Sequence, residues 1–287
     1  AGGRVTFYQP PRWIQRLLGA GHHFKIQVSE AGEALLCSGN VTRSSFEHWN
    51  ECALVVRGDL AGRLLSDCRA IGGDVPDAHV AQVAGAHGPS TIPVDYWFCN
   101  PNDAQGVAGV FSGGWRNDVT DRMIEMVEAA RQSLVITSFY FKPTEALMAA
   151  VVAAARRGVR VEVFHSHVDA LPATDLAWIA AAVSFPRLLD AGVLIHERPQ
   201  GEHSKIVLVD DAWVACGSYN FEDAAHDRLA EVMVATRDRA TVEALRAVVE
   251  GLRSDPALVP VTPASLDALP ARLRRRIGWW GWLKRFT

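Results

Sequence analysis

The sequence contains two related stretches, HFKIQVSE at residues 23–30 and HSKIVLVD at residues 203–210. A serine and an asparagine follow each stretch at the same distance, within CSGN and GSYN, and a glutamate follows further on. The equivalent residues are separated by 180 positions throughout. Because a purely structural repeat would preserve apolar residues and glycines, agreement at polar positions indicates a duplicated unit that carries chemistry. The matched pairs are His23 with His203, Lys25 with Lys205, Glu30 with Asp210, Ser38 with Ser218, Asn40 with Asn220, and Glu51 with Glu231.

Each copy has the pattern of a strand, a tight turn and a second strand. In the second copy KIVLV precedes the turn and WVACGSYN follows it, and in the first copy KIQVS and ALLCSGN take these places. Residues i and i+2 of a strand share one face, so His203 and Lys205 are predicted to point the same way, as are Ser218 and Asn220. One copy therefore offers an imidazole, an ammonium, a hydroxyl and an amide on a single face.

Two such faces brought together suit a phosphodiester. Lysines and amides can hold the non-bridging oxygens and stabilise the charge that develops as phosphorus becomes five-coordinate. One histidine can attack phosphorus, while the other protonates the leaving oxygen and later deprotonates the incoming one. Glu51 and Glu231, each 28 residues after its histidine, could bond a ring N–H and set the tautomer. No metal and no cofactor are expected, since the lysines supply the positive charge.

The pattern H-x-K-x4-D followed by G-S-x-N resembles the motifs of the phospholipase D superfamily, whose members carry two such motifs in one active site. The second copy matches at every position, whereas the first has Glu30 in the aspartate position and Cys37 where glycine is usual. Glu30 is expected to keep the structural salt-bridge role of the motif acid. Within the superfamily the chain is most similar to bacterial cardiolipin synthases, which have comparable segments at YQPPRW (8–13), RQSLVITSFYFKP (131–143) and RRGVRVEVF (156–164).

This resemblance implies an α/β, phospholipase D-like fold of two pseudo-symmetric lobes, with mostly parallel sheets covered by helices. It implies a phospholipid substrate and transfer of a phosphatidyl group, through a phosphohistidine, to an alcohol such as phosphatidylglycerol or glycerol. In many relatives the first motif supplies the nucleophile, which would make His23 the nucleophile and His203 the acid and base. A hydrolase of the same superfamily, either a phospholipase or an endonuclease, stays open, because water and an alcohol attack the same intermediate. A degenerate membrane-binding scaffold is disfavoured, because every motif histidine, lysine and asparagine is present.

The chain is predicted to divide into four parts: the C-terminal part of a first lobe (1–90), a linker (91–106), a second lobe (107–258) and a basic, aromatic tail (259–287). Strand and helix patterns alternate in the second lobe, which favours parallel strands. By the repeat, about 85 residues at the start of the first lobe have no counterpart, so the first lobe is expected to be N-terminally incomplete. An upstream fragment or a partner chain could complete it.

Composition narrows the function classes. The 287 residues are 49% apolar with a net charge of −3, so no nucleic-acid partner is expected, because duplex-binding proteins usually carry a broad basic field. Five cysteines without a C-x-x-C pair favour a reducing compartment. The longest apolar stretch, at residues 146–155, is too short to span a bilayer.

The tail segment RLRRRIGWWGWLKRF (272–286) interleaves basic and aromatic side chains. This pattern predicts contact with an anionic membrane surface. A tail packed on the domain and a nucleic-acid patch are the alternatives. With the resemblance, the expected location is peripheral, on the cytoplasmic side of a bacterial inner membrane.

Four more residues are candidates for a head-group pocket. Tyr140 and Phe141 end one predicted strand, and His165 and His167 follow the next. Ligand loops in α/β sheets commonly lie at this end of the strands. The alternative is that these residues are structural.

Overall fold

The computed structural model describes residues 7–10, 12–88, 91–104, 116–171 and 175–280. Strands and helices alternate along most of this length. The strands are β1 (Gly21–His22), β2 (Lys25–Val28), β3 (Glu33–Cys37), β4 (Ala53–Arg57), β5 (Asp95–Cys99), β6 (Ser133–Ser138), β7 (Arg160–Ser166), β8 (Leu194–Arg198), β9 (Ile206–Val209), β10 (Trp213–Gly217), β11 (Leu229–Thr236) and β12 (Val259–Val261). The helices are α1 (Trp13–Leu17), α2 (Arg43–Glu47), α3 (Asp59–Ala70), α4 (Asp77–Gly85), α5 (Pro101–Ala104), α6 (Asp118–Ala129), α7 (Glu145–Arg156), α8 (Leu176–Ala182), α9 (Phe185–Asp190), α10 (Asp223–Asp227), α11 (Arg239–Arg253), α12 (Pro263–Asp267) and α13 (Ala271–Trp280).

Within the described residues nine strands form one large sheet, in the order β1-β11-β10-β9-β6-β7-β8-β12, with β5 also paired to β11. Helices connect β6, β7 and β8, and these strands are parallel neighbours, as the alternating pattern predicts. The motif hairpin β9–β10 is antiparallel, and so are its pairings with β6 and β11. A tight turn can join only antiparallel strands, whereas parallel neighbours need a crossover. The predicted α/β class is confirmed.

The first motif copy lies in a separate antiparallel sheet of β2, β3 and β4. In this sheet β2 is an edge strand, and among the described residues nothing pairs with its outer side. The equivalent strand of the second copy, β9, is paired with β6 on that side. The two copies therefore share a hairpin and differ in what flanks it.

Apolar periodicity explains how the helices cover the large sheet. Helix α6 begins at the N-cap Asn117, whose side chain accepts the Thr120 N–H, and α7 begins at Thr144 in the same way. Both helices place their apolar side chains in the main core cluster, where α6 packs beside β5, β9 and β11 and α7 packs beside β7. Helix α11 contributes an apolar stripe to a second cluster, which contains Cys52 and Cys216.

A third apolar cluster joins the small sheet to the large one. Phe24 and Leu36 of the first copy pack with Val232 and Val234 of β11. The interface between the two motif copies is therefore continuous with the core.

The predicted linker, residues 91–106, is not an irregular connection. Its residues Asp95–Cys99 form β5, which pairs with residues 231–235 of β11, and Pro101–Ala104 form a short helix. The Tyr-Trp-Phe run at 96–98 has high strand propensity, which outweighs the Gly- and Pro-rich flanks. The start of the predicted second lobe, 107–115, and the last part of the tail, 281–287, lie outside the described residues.

In the part of the chain that the structure describes, no helix has the length and apolar character needed to cross a membrane.

Candidate active site

The two motifs meet where each one docks on the glutamate-bearing segment of the other. The His23 backbone N–H donates to the Ala230 carbonyl at 2.9 Å, at the start of β11, which carries Glu231. The His203 N–H donates to the Asn50 carbonyl, also at 2.9 Å, next to Glu51. Because both contacts obey the 180-residue offset, the predicted pseudo-twofold arrangement places the two histidines in one site.

The histidines and glutamates are paired across the two copies. His23 Nδ1 lies 3.0 Å from Glu231 Oε1, and His203 Nδ1 lies 2.8 Å from Glu51 Oε2. A carboxylate accepts, so each Nδ1 carries a proton, and in the neutral ring each Nε2 then keeps its lone pair. Each copy therefore supplies the orienting carboxylate for the histidine of the other.

The motif serines hold these glutamates. Ser38 Oγ donates to Glu51 Oε2 and Ser218 Oγ donates to Glu231 Oε2, both at 2.5 Å. Burial alone would raise the pKa of Glu51, but the hydrogen bond and charge of His203 and the Ser38 hydroxyl lower it overall. The serines were grouped with the residues facing the substrate in the sequence-based prediction, and in the structure they support the carboxylates instead.

Lysine and asparagine side chains surround the free ring nitrogen of His23. Lys25 Nζ lies 2.7 Å from His23 Nε2, and Asn220 Nδ2 lies 3.5 Å from the same atom. Lys205 is fully buried and donates to the His203 carbonyl at 2.7 Å. The Asn40 backbone N–H donates to Ser45 Oγ, which anchors the end of the first motif.

Burial lowers the pKa values of the basic groups in this site. It lowers the pKa of Lys25 to about 8, and together with the Lys25 charge it lowers that of Lys205 to about 7. Burial, then the charge of Lys205, lowers the pKa of His203 to about 3. Since Lys25 of the first copy depresses the pKa of both second-copy groups, the two motifs act as one electrostatic unit. A bound anion would favour the protonated form of these buried basic groups.

The two motif acids differ in their surroundings. Asp210 accepts backbone N–H groups from Arg131, Gln132 and Ser133, at 2.7 to 3.2 Å, and so caps the start of β6. Burial opposes ionisation of Asp210, but these backbone hydrogen bonds lower its pKa overall. Glu30 is exposed, and its carboxylate has no hydrogen bond or ion pair among the described residues. The predicted salt bridge of Glu30 is therefore absent there, because β2 has no neighbouring strand for it to cap.

The glycine of the second motif has a steric reason. A Cβ on Gly217 would lie 2.2 Å from the Val232 carbonyl oxygen and 2.8 Å from Met233 Sδ, so β10 can approach β11 only with glycine there. Cys37 takes this position in the first copy and is half-buried, with Sγ 3.6 Å from the Gly39 carbonyl oxygen.

The predicted head-group pocket is not supported at two of its four positions. Phe141 and His165 have no exposed surface: Phe141 belongs to the main core cluster, and the His165 ring packs on Phe185. His165 points inwards because β7, which carries it, is covered on both faces, and Phe141 packs into the core just after the end of β6. His167 is partly exposed and lies 3.2 Å from Asp169. Tyr140 reaches the site, since its hydroxyl donates to Glu222 Oε1 at 3.4 Å.

Several residues of the site were missed by the sequence-based prediction. Glu222 accepts from Asn220 Nδ2 at 3.3 Å and forms a buried ion pair with Lys142 at 3.0 Å. Glu222 follows the second asparagine by two residues, which was an available signal. Trp49 and Phe139 contact the His203 ring, and no spacing rule connects them to it.

The described residues contain no group of three or more histidine, cysteine, aspartate or glutamate side chains arranged to hold a metal ion.

Comparison with known proteins agrees with this geometry. Residues 123–253 match the family model described as "Cardiolipin synthase, PLD-like domain". The chain is 29% identical over 138 residues to cardiolipin synthase B of Escherichia coli (strain K12), covering 48% of this chain and 33% of that protein. It is 32% identical over 151 residues to cardiolipin synthase A of Pseudomonas aeruginosa (strain LESB58), covering 52% of this chain and 28% of that protein. These matches span about a third of the length of the curated relatives.

Among solved structures, phosphatidylserine synthase of Haemophilus influenzae Rd KW20 aligns with a TM-score of 0.67 at 14% identity, over 95% of this chain and 71% of that one. At this identity the likeness concerns the fold, which extends over nearly the whole chain. The motifs, the fold and these matches together make the chain similar to proteins of the phospholipase D superfamily, and among them to cardiolipin synthases.

Proposed function

We propose that this protein cleaves a phospholipid phosphodiester through a phosphohistidine and transfers the phosphatidyl group to an alcohol. The observation that carries the proposal is the crossed pairing, in which each motif histidine presents Nε2 while a glutamate of the other motif holds Nδ1. A hydrolytic or transfer reaction at phosphorus needs one nucleophile and one proton carrier, and this arrangement supplies two oriented imidazoles.

Substrate binding is assigned to the lysines and Asn220. A phosphodiester carries one negative charge, which stabilises the protonated form of Lys25 and Lys205 and offsets the burial that depresses the pKa of both. The charged lysines and the Asn220 amide then hold the non-bridging oxygens. The same groups stabilise the five-coordinate transition state, where charge on these oxygens grows.

In the first step His23 Nε2 attacks phosphorus and the bond from phosphorus to the leaving oxygen breaks. His203 gives its Nε2 proton to that oxygen. Burial disfavours the imidazolium form of His203 in the free protein. Glu51 and the bound anion both favour it, so His203 can carry this proton in the complex. Glu231 accepts the Nδ1–H of His23 and stabilises the positive charge on the phosphorylated ring.

In the second step His203 takes the proton of the acceptor hydroxyl as the acceptor oxygen attacks phosphorus. The P–N bond to His23 breaks, which restores both imidazoles. Atoms balance as one phosphodiester and one alcohol giving a new phosphodiester and a new alcohol. The resemblance to cardiolipin synthases supports phosphatidylglycerol or glycerol as the acceptor.

A membrane contact through α13 belongs to the same proposal. Leu273 and Ile277 pack on the main core cluster, and Arg276 forms a two-pronged ion pair with Asp175. Arg275 and Trp279 are exposed beside them, Trp279 with 65% of its surface accessible. Basic residues next to an exposed tryptophan suit an anionic lipid surface, which is where a phospholipid substrate is found.

The test is incubation with phosphatidylglycerol vesicles labelled in the acyl chains, followed by separation of the lipid products. We expect a transferred phosphatidyl product, which is lost in His23→Ala and His203→Ala and kept in the surface control His79→Ala. Phosphatidic acid as the sole product would make the protein a hydrolase. Cleavage of single- or double-stranded DNA without lipid turnover would replace the proposal with a nuclease.

A further inference from the structure

Two aromatic rings cover the second motif histidine. The Trp49 and His203 ring centroids are 4.9 Å apart with the planes inclined by 32°, and Phe139 meets the His203 ring edge-on at 4.8 Å. Trp49 and Phe139 also contact each other, at 4.6 Å. We call Trp49 and Phe139 the aromatic wall. Both residues are half-buried, so the wall keeps some accessible surface next to His203.

The backbone is built to hold this wall. The Asn50 N–H donates to the Gly201 carbonyl at 3.0 Å, which fixes the residue after Trp49 against the residues before His203. Gly201 has φ +101°, and a Cβ there would lie 2.2 Å from Trp49 Cδ1. Only glycine therefore leaves room for the indole at this position.

Among the described residues, the position equivalent to Trp49 holds an aliphatic side chain instead of an indole. The 180-residue offset matches Trp49 with Leu229 and Gly201 with Gly21, and Gly21 pairs with Leu229 in β1 and β11. A Cβ on Gly21 would meet Leu229 at an ordinary 3.7 Å. The side chain of His203 is 4% exposed and that of His23 is 22% exposed. The wall is thus a main difference between the surroundings of the two histidines.

We propose that Trp49 and Phe139 determine acceptor specificity, by favouring an alcohol over water at His203. This rests on the proposed function, in which His203 deprotonates the acceptor. Aromatic faces offer water no strong hydrogen-bond partner, whereas the carbon skeleton of an alcohol gains apolar contact with them. An acceptor that packs on the wall brings its hydroxyl next to the His203 ring, and a water molecule in that place leaves the rings poorly solvated.

The decisive variant is Trp49→Leu, which replaces the tryptophan beside His203 by the residue type of its 180-residue equivalent, Leu229. With phosphatidylglycerol vesicles and a fixed glycerol concentration, we expect the ratio of transferred product to phosphatidic acid to fall about tenfold, in the range that small changes of apolar contact produce in enzyme specificity. Total cleavage should change less than this ratio. Phe139→Leu should lower the ratio in the same direction and serves as the second variant if Trp49→Leu does not fold. Leu229→Ala is the control. It changes the 180-residue equivalent of Trp49, which pairs with Gly21, and it should leave the ratio unchanged.

A second readout separates this inference from the proposed function. In Trp49→Leu, NMR titration of His203 should show a higher apparent pKa than in the wild type, because water reaches the ring while Glu51, Lys205 and Lys25 stay in place. A wild type without lipid turnover would overturn the proposed function and this inference with it. A wild-type transferase whose product ratio is unchanged in both Trp49→Leu and Phe139→Leu would overturn the inference alone.

Discussion

The two motif copies carry the same residues in different surroundings. The second copy lies inside the large sheet, where β9 is buried along its whole length and Lys205 has no exposed surface. The hairpin of the first copy lies in a three-stranded sheet, and His23 and Lys25 are only partly buried. Side-chain identity is thus repeated, whereas burial is not. Because burial controls proton affinity, two chemically equal motifs can take unequal parts in one reaction.

The largest effect is expected from removing either histidine. His23→Ala and His203→Ala should each lower turnover by at least about 10³-fold, since nucleophile and proton carrier act as a unit. The double variant should be no worse than the more damaging single one. Mapping the phosphoryl adduct on the slowed His203→Ala protein tests the roles, and an adduct on His203 of the wild type would reverse the assignment of His23 as nucleophile.

The crossed carboxylates should give the next largest effect. Glu231→Gln and Glu51→Gln keep the side-chain shape but remove the charge that favours a protonated ring, so we expect losses of about 10- to 100-fold. The ring-nitrogen NMR shifts should respond across the copies, those of His23 to Glu231→Gln and those of His203 to Glu51→Gln. Shifts that respond within one copy would contradict the pairing.

The two buried lysines should make kcat/KM fall as the pH rises. Both must be protonated to hold an anionic substrate, and their pKa values are lowered by burial to about 7 for Lys205 and about 8 for Lys25. As pH rises the lysines lose their protons, so kcat/KM, which reports the free enzyme, should fall by about tenfold per pH unit between the two pKa values and by about 100-fold per pH unit above both.

A matched variant sharpens this test. The Lys25 charge lowers the pKa of Lys205, so in Lys25→Met the remaining fall in kcat/KM should move to higher pH, from a lower starting rate. A soluble aryl phosphodiester suffices as substrate. A profile that is flat from about pH 6 to about pH 9 would be inconsistent with substrate binding by these lysines.

Replacing the two motif acids should change the free energy of unfolding by different amounts. Asp210→Ala removes the acceptor of the backbone N–H groups at the start of β6 and places alanine at φ 51°, so it should cost about 2 kcal/mol of the free energy of unfolding. Glu30→Ala changes an exposed side chain and should stay within about 0.5 kcal/mol. Urea unfolding of both variants tests this prediction. Equal losses of the free energy of unfolding would mean that Glu30 has a partner equivalent to β6.

Local patterns were enough to predict much of the second copy. Alternating strand and helix patterns predicted the parallel strands β6, β7 and β8, and the strand-turn-strand pattern predicted the motif hairpin, because these features depend on neighbours in the chain. The linker prediction failed at β5, where glycine and proline around a short aromatic strand masked it. The pocket prediction failed at Phe141 and His165, since burial depends on what covers a strand.

The sequence by itself determined the inventory of the site: the duplicated histidines, lysines, serines, asparagines and glutamates, and which of them share a face of a strand. Only the tertiary structure decided how the copies combine. It pairs His23 with Glu231 and His203 with Glu51, and it places Trp49 on His203. These contacts join residues far apart in the chain, so no periodicity encodes them; they arise because each motif docks on the glutamate-bearing segment of the other.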